Sequence, residues 1–248
     1  MLEFRAIFGE SRPALMAEFD VEERARLSAG ESAAVIHEAV VAALTERGVR
    51  AHCLVDVGCG TGSLRDRVQG ICERYIGADA IRHDGFPVAA EFVLANLDAG
   101  KVALPDGTCD AVACIETIEH VENPRALMRE LVRLAAPGGW LVVTTPNQLS
   151  LLSKLSLLTK NEFVHFQERP GLYPAHISAL LEIDLRRMCR ENRLEDIAVR
   201  YSGRGRVPFT PRDWPAALRS SSGAKGRAFS DNVLVLARKP ARSIEHAL

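Results

Sequence analysis

One segment constrains this chain more than any other. The apolar run Cys53-Leu54-Val55-Asp56-Val57 breaks directly into Gly58-Cys59-Gly60-Thr61-Gly62. A short apolar run stopped by a glycine cluster reads as a buried strand entering a tight turn, and the polar segment that follows, with Leu64 and Val68, predicts a helix. Glycines at alternate positions let the backbone bend sharply and approach a ligand with no β-carbon in the way, while a following helix would offer unpaired N–H groups to an anion. A dinucleotide fold needs a third glycine, but the position counted from Gly58 is Ser63 and that counted from Gly60 is Arg65. The NAD reading fails there, and another nucleotide-like ligand is expected.

The rest of the chain repeats the same alternation. Short apolar runs recur at Tyr75 to Ala78, Glu91 to Leu97, Ala111 to Ile115 and Trp140 to Thr144, the last after a Pro137-Gly138-Gly139 turn. Helical spacing fills one gap (Ala126, Leu127, Leu131, Leu134) and covers the start, from Pro13 to about Arg47. There Leu15 and Phe19 precede a break at Ala29-Gly30, Ser32 is a candidate cap, and Gly48 ends the second helix. Helical spacing returns from Ile177 to Cys189, and two β-rich runs, Ile197 to Tyr201 and Val233 to Ala237, follow. Strands alternating with helices predict the α/β class, a mostly parallel sheet with helices on both faces.

Composition excludes several alternatives. With 248 residues, 47% hydrophobic and 25% charged, the chain matches an ordinary globular protein with a sizeable core. Its formal net charge of −1 selects neither nucleic acid nor an anionic membrane as partner. Six cysteines without a C-x-x-C pair, several inside apolar runs, suit buried thiols in a reducing compartment rather than disulfides or a zinc knuckle. The opening MLEFRAIFGESRP lacks the apolar stretch of a secretory leader and no 18-residue apolar run occurs, so a cytoplasmic protein without a membrane span is expected.

Leu54 through Gly62 closely resembles motif I of the class I S-adenosylmethionine-dependent methyltransferases, and the likeness continues in order. Asp79 stands about twenty residues beyond the loop at a strand end. Asn96-Leu97 matches the short acidic or amide motif after the third strand, Leu104-Pro105-Asp106-Gly107 through Val112 the entry to the fourth, and Pro137-Gly138-Gly139 the turn before the fifth. The resemblance covers roughly residues 50 to 147. It implies a Rossmann-like seven-stranded fold with strand order 3-2-1-4-5-7-6 in a single methyltransferase domain. Residues 1–50 would form an N-terminal helical cap, 51–147 the donor-binding core, 148–176 an acceptor lid, and 177–248 a C-terminal helix and final strands. It further implies S-adenosylmethionine as methyl donor, with S-adenosylhomocysteine as product. The donor would meet Asp56, Gly58, Cys59, Gly60, Asp79, Ala80, Asn96, Leu97 and Ile115. In this scheme Asp79 accepts the ribose hydroxyls and Asn96, where the family more often has aspartate, the adenine amine.

Glu116-Thr117-Ile118-Glu119-His120 follows the fourth strand, and a helix there would put Glu116, Glu119 and His120 on one face. The run resembles that of the ubiquinone-biosynthesis O-methyltransferases and of the small-RNA 3′-terminal ribose 2′-O-methyltransferases, where these residues are linked to a divalent metal. Three readings compete. His120 is a general base, its ordinary pKa of about 6.5 suiting proton removal from a hydroxyl. Alternatively Glu116, Glu119, His120 and either His165 or His176 hold a metal, or Glu116 merely fixes the loop with His120 packed against it. We assign catalysis to His120 and Glu116 and commit to no metal.

Thr144-Thr145-Pro146-Asn147 again resembles the ubiquinone-type enzymes, which places the acceptor against residues 146–176 and the N-terminal helix. The leucines at 149, 151, 152, 155, 157 and 158 form either an apolar lid, core, or a dimer face. Arg200 to Arg227 is basic and glycine-rich, fitting either an anion contact or a solvated loop; with few interleaved aromatics (Tyr201, Phe209, Trp214), nucleic acid is a minority reading. The expected function is O-methylation of a small hydroxylated acceptor such as a sugar, phenol or quinone precursor. Metal-assisted 2′-O-methylation of an RNA end and a non-catalytic adenosyl-binding subunit are the alternatives.

Overall fold

A computed structural model describes residues 21–28, 30–99, 101–168, 172–202, 205–208, 210, 212–215 and 227–241. Leu15, Phe19, Arg204 and Phe209 fall outside these. Seven strands form one sheet: β1 (Ala51–Val57), β2 (Cys72–Asp79), β3 (Glu91–Leu94), β4 (Cys109–Ile115), β5 (Ala135–Pro146), β6 (Glu195–Tyr201) and β7 (Asn232–Arg238). Their order is β3-β2-β1-β4-β5-β7-β6, as the resemblance implied. The first five run parallel, while β7 inserts antiparallel between β5 and β6. Helices α1 (Val21–Leu27), α2 (Ala34–Glu46), α3 (Pro124–Leu134), α4 (Leu151–Lys160) and α5 (Glu182–Glu191) complete the described elements.

Side-chain alternation along the central strands separates two cores. Val55 and Val57 of β1 pack on one face with Leu127, Leu131, Leu185 and Met188 of α3 and α5. Leu54 points to the other face, with Val40 and Leu44 of α2 and Val68. Burial of this kind stabilises by roughly 25 cal/mol per Å² of apolar surface, which is why strands buried on both faces read as near-continuous apolar runs.

Three local expectations change. The helix predicted after the glycine bend is one 3-10 turn, Arg65–Arg67, in the short span between Gly62 and Gly70 before β2 begins. Ser32 does not cap α2: its cap residue is Ala33, with no side-chain bond. In contrast Asn123 caps α3, its side chain accepting from the Ala126 N–H at 3.0 Å ahead of a proline in the first turn. The Glu116–His120 segment is a left-handed residue, Glu116 at φ 49°, followed by a 3-10 turn over Ile118–His120, not an α-helix.

The leucine-rich stretch forms α4, but with its faces reversed from the lid expectation. Ser153 and Ser156 are buried, whereas Leu151, Leu157 and Leu158 are 40%, 39% and 82% exposed. Polar contacts hold the inner face: Gln167 Nε2 donates to Ser156 Oγ at 2.8 Å, and Ser150 caps the helix by accepting from Ser153 N. No leucine of this helix reaches the cavity described next. Among the described residues no helix is long and apolar enough to cross a membrane.

Candidate active site

The carboxyl ends of β1, β2 and β4 meet where the strand order reverses, the place at which open α/β sheets leave a crevice. A cavity of ≈ 470 Å³ opens there, within the range of small-ligand sites.

The glycine bend forms one wall. Gly58, Gly60 and Gly62 have φ of 77°, 52° and 76°, a region costly for residues with a β-carbon. Close approach adds a second requirement, since a Cβ on Gly58 would stand 2.1 Å from Thr117 Oγ1 and one on Gly60 2.0 Å from the Gly30 carbonyl oxygen. At the end of β2, Asp79 cross-ties the bend: its Oδ2 accepts from the Gly60 N–H at 2.8 Å and its Oδ1 from the Ala80 N–H at 2.7 Å. Burial raises the Asp79 pKa against the pull of these amides. Asp56 lies behind it. One oxygen accepts from the Tyr75 hydroxyl at 2.7 Å, the other is buried without a partner, and burial pushes the carboxyl up to about 7.

Gly58, Cys59, Gly60, Asp56, Asp79, Ala80, Leu97 and Ile115 all line this cavity, so eight of the residues proposed for the donor converge. The ninth does not. The Asn96 side chain is exposed and its Oδ1 accepts from the Asp98 and Ala99 N–H groups, both at 3.0 Å, so the amide shapes a turn instead of facing the crevice. Asp98 takes the wall position and is tied to Arg24 of α1.

Glu116 and His120 line the same cavity. Glu116 Oε1 accepts from Thr144 Oγ1 at 3.0 Å and from Asn232 Nδ2. Burial pushes this carboxyl up to about 7, and the two hydrogen bonds hold it from rising further. His120 moves the other way: burial, then the neighbouring His176, holds it down to about 4. Its Nδ1 lies 2.8 Å from the Ala175 carbonyl, which can only accept, so Nδ1 carries the proton and Nε2 the lone pair.

The three groups that do cluster are Glu119, His120 and His176, each with a ligating atom within 4.8 Å of the others. The His120 and His176 rings meet edge to face at 4.7 Å, and His176 Nδ1 is held at 2.7 Å by the His165 carbonyl. Glu119 is fully buried, with Oε2 accepting from Thr145 Oγ1 at 3.0 Å and Oε1 without a partner. Its carboxyl is raised well above the ordinary range by burial and by Glu116. Glu116 stands apart from this cluster because its left-handed backbone turns it to Thr144 and Asn232. His165 lines the cavity without joining the three.

Sequence reasoning passed over Arg24, His37, Asp98, Asp231 and Asn232, which line the same cavity. His37 sits on the inner face of α2, where burial holds it down to about 4. Of the basic stretch, Arg206 reaches the wall, its backbone N–H donating to Asp231 Oδ2 at 3.2 Å. The helical phase of residue 37 is the signal that could have found His37; no spacing rule links residues 116 and 232.

A family model described as a methyltransferase domain matches residues 23–199. A probable S-adenosylmethionine-dependent methyltransferase of Mycolicibacterium smegmatis is 30% identical over 117 residues, 46% of this chain and 45% of that protein. The ubiquinone biosynthesis O-methyltransferase of Thiobacillus denitrificans is 28% identical over 152 residues, 57% of this chain and 64% of that one. The chain thus spans about half the length of the curated relatives it matches. Among solved structures, a SAM-dependent methyltransferase from Archaeoglobus fulgidus shares the fold at a TM-score of 0.54 and 19% identity, covering 82% of this chain and 94% of that one. Another from Thermotoga maritima does so at 0.60 and 15%, covering 83% and 90%. Family model, strand order and crevice agree, and the chain is a member of the class I S-adenosylmethionine-dependent methyltransferases.

Proposed function

We propose that the protein is an O-methyltransferase that takes S-adenosylmethionine along the Gly58–Gly60 bend and a small hydroxylated acceptor on the Glu116–His120 side. The observation that carries this reading is the pairing of a crevice at the glycine bend with two proton acceptors among its lining residues. The residues fit the donor: the crevice runs along Gly58 to Gly60, which only glycine lets pack so closely on Thr117 and the Gly30 carbonyl, and the unpartnered Asp56 Oδ1 suits an ammonium group. Bound there, the donor supplies a methyl group already activated by its sulfonium. The protein's task is then alignment and proton removal, since holding two reactants in line removes much of the entropic barrier.

Asp79 holds the ribose hydroxyls with the lone pairs that Gly60 and Ala80 leave free, while Leu97 and Ile115 flank the rings. The polar contact expected of Asn96 passes to Asp98. With its carboxyl pushed up to about 7 by burial, Glu116 is matched to accept a hydroxyl proton at its cavity-facing carboxylate. Near neutral pH His120 is uncharged and its Nε2 accepts a hydrogen bond that orients the hydroxyl. The two groups are pushed in opposite directions by burial, the pattern that separates acid and base roles.

A second reading rests on the Glu119–His120–His176 cluster. Both imidazoles are oriented through Nδ1 by backbone carbonyls, and the buried Glu119 Oε1 lacks a partner, the arrangement of ligands awaiting a cation. These three residues would hold a divalent metal, which would lower the pKa of an acceptor hydroxyl.

Calorimetry with adenosylhomocysteine and with NAD tests the donor assignment; binding of NAD alone would end it. Labelled donor against a panel of hydroxylated metabolites tests the acceptor. Transfer to an RNA 3′ end only, or donor binding without product across the panel, replaces the small-molecule reading. Manganese titration of the wild type and of Glu119→Gln tests the metal, and identical isotherms would remove it.

A further inference from the structure

At the other pole of the sheet, near the amino ends of β1 and β4, lies a second groove of ≈ 360 Å³ that shares no lining residue with the crevice. Arg47, Arg50 and Arg238 line it beside Trp140, with Asp110 as the acid on its wall. They come from three separate places: Arg47 follows α2, Arg50 precedes β1, and Arg238 ends β7. The Arg47 and Arg238 guanidinium groups both lie over the Trp140 ring, 5.5 and 5.8 Å from its centre.

Two like charges on one ring repel. Asp110 makes no ion pair with either; its Oδ2 accepts from the Cys53 N–H at 3.0 Å. Arg50 donates to the Val49 carbonyl and Arg238 to that of Gly138, and among the described residues no ion pair engages any of the three guanidinium groups. Neighbouring arginines behave differently: Arg200 holds Glu46 at 2.7 Å and Arg74 holds Glu91 at 2.5 Å. A chain of net charge −1 has no general excess of cations to produce such a cluster by composition. Gly138 and Gly139 add no side chain to fill the floor.

We propose that this groove is an oxyanion site for a small phosphate-bearing ligand, whose phosphoryl oxygens are taken by Arg47, Arg50 and Arg238. A guanidinium presents a rigid fork of donors matched to phosphoryl oxygens, and converging forks give both charge and geometry. Trp140, already flanked by two of these groups, reports their rearrangement.

The test uses the full chain with Trp214→Phe, which leaves Trp140 as the remaining tryptophan of two. Inorganic pyrophosphate is titrated at constant ionic strength, with potassium chloride as the control. A saturable change in tryptophan fluorescence is expected. Its apparent dissociation constant should rise at least tenfold with Arg47→Ala and with Arg238→Ala, rise less with Arg47→Lys, and stay unchanged with Arg200→Ala. Thermal unfolding of each variant shows that it is folded. No saturation at millimolar pyrophosphate, an equal response to chloride, or equal binding by folded arginine variants would overturn the assignment.

Discussion

Replacing Gly60 by alanine separates backbone strain from the loss of the donor cradle. At φ 52° an alanine costs ~1–2 kcal/mol from its β-carbon alone. The new Cβ would also stand 2.0 Å from the Gly30 oxygen and 2.6 Å from its carbon, and these are backbone atoms that no rotamer change can move. The 30s segment must withdraw, at an overpacking cost of ~1–3 kcal/mol. With it goes the Thr61 N–H bond to the Gly30 carbonyl, 2.9 Å long and worth ~1 kcal/mol. Gly48 supplies the control: its φ of 66° is similar, but nothing lies within 4 Å of its Cβ position. Gly48→Ala should therefore cost ~1–2 kcal/mol in denaturant unfolding, and Gly60→Ala ~2–4 kcal/mol more. Because the displaced Gly60 N–H also anchors Asp79, adenosylhomocysteine binding by calorimetry should weaken more than ~10-fold in Gly60→Ala, equivalent to ~1.4 kcal/mol, and not at all in Gly48→Ala. Gly58→Ala provides a further check, as its clash is with the Thr117 side chain and should be relieved by Thr117→Gly. Equal unfolding costs at positions 48 and 60, with donor affinity intact in both, would refute this account of the bend.

Asn232→Ala removes one of two hydrogen bonds favouring ionised Glu116, so its pKa should rise further above about 7. The acid limb of kcat/KM, which needs the carboxylate, should shift to higher pH, and an unmoved limb would exclude Glu116 as the base. The same raised carboxyl fixes a sign in stability: folded Glu116 binds more protons than the unfolded chain between about 4.5 and 7, so its contribution is present below that window and lost as pH rises through it. Glu182→Ala leaves Arg186, Arg227 and the Tyr201 hydroxyl without their shared acceptor. Discounted for the partial exposure of both arginines, ~2 kcal/mol should be lost, and a change under ~0.5 kcal/mol would show the cluster to be incidental. Leu158→Asp should change stability by less than ~0.5 kcal/mol and leave acceptor KM unaltered, since the residue is 82% exposed and outside the cavity; a raised KM would restore the lid.

Periodicity and turn chemistry made the strands and the glycine bend legible, because both are local: apolar alternation follows the pleat, and φ > 0 selects glycine at residues 58, 60 and 62. Helix boundaries were less legible. Ser32, the candidate cap, makes no cap bond, whereas Asn123, which the sequence reading did not single out, caps α3, since a side-chain oxygen caps only where the chain enters the helix in register. Asn96 shows a related ambiguity. An amide can accept from a ligand or from its own backbone two residues on, and the local bond forms here.

What the amino-acid sequence determined by itself is the α/β order and the glycine bend, each set by local pattern; the tie from the Gly60 N–H to Asp79 joins two neighbouring strands and belongs to the tertiary structure. What tertiary structure alone decided is which polar groups meet: Glu119 with His120 and His176, and Glu116 with Asn232 from the antiparallel β7. It also decided that α4 turns its serines inward. Contacts across more than fifty residues depend on how layers pack and on which face gains hydrogen bonds once buried, and a one-dimensional pattern carries no term for either.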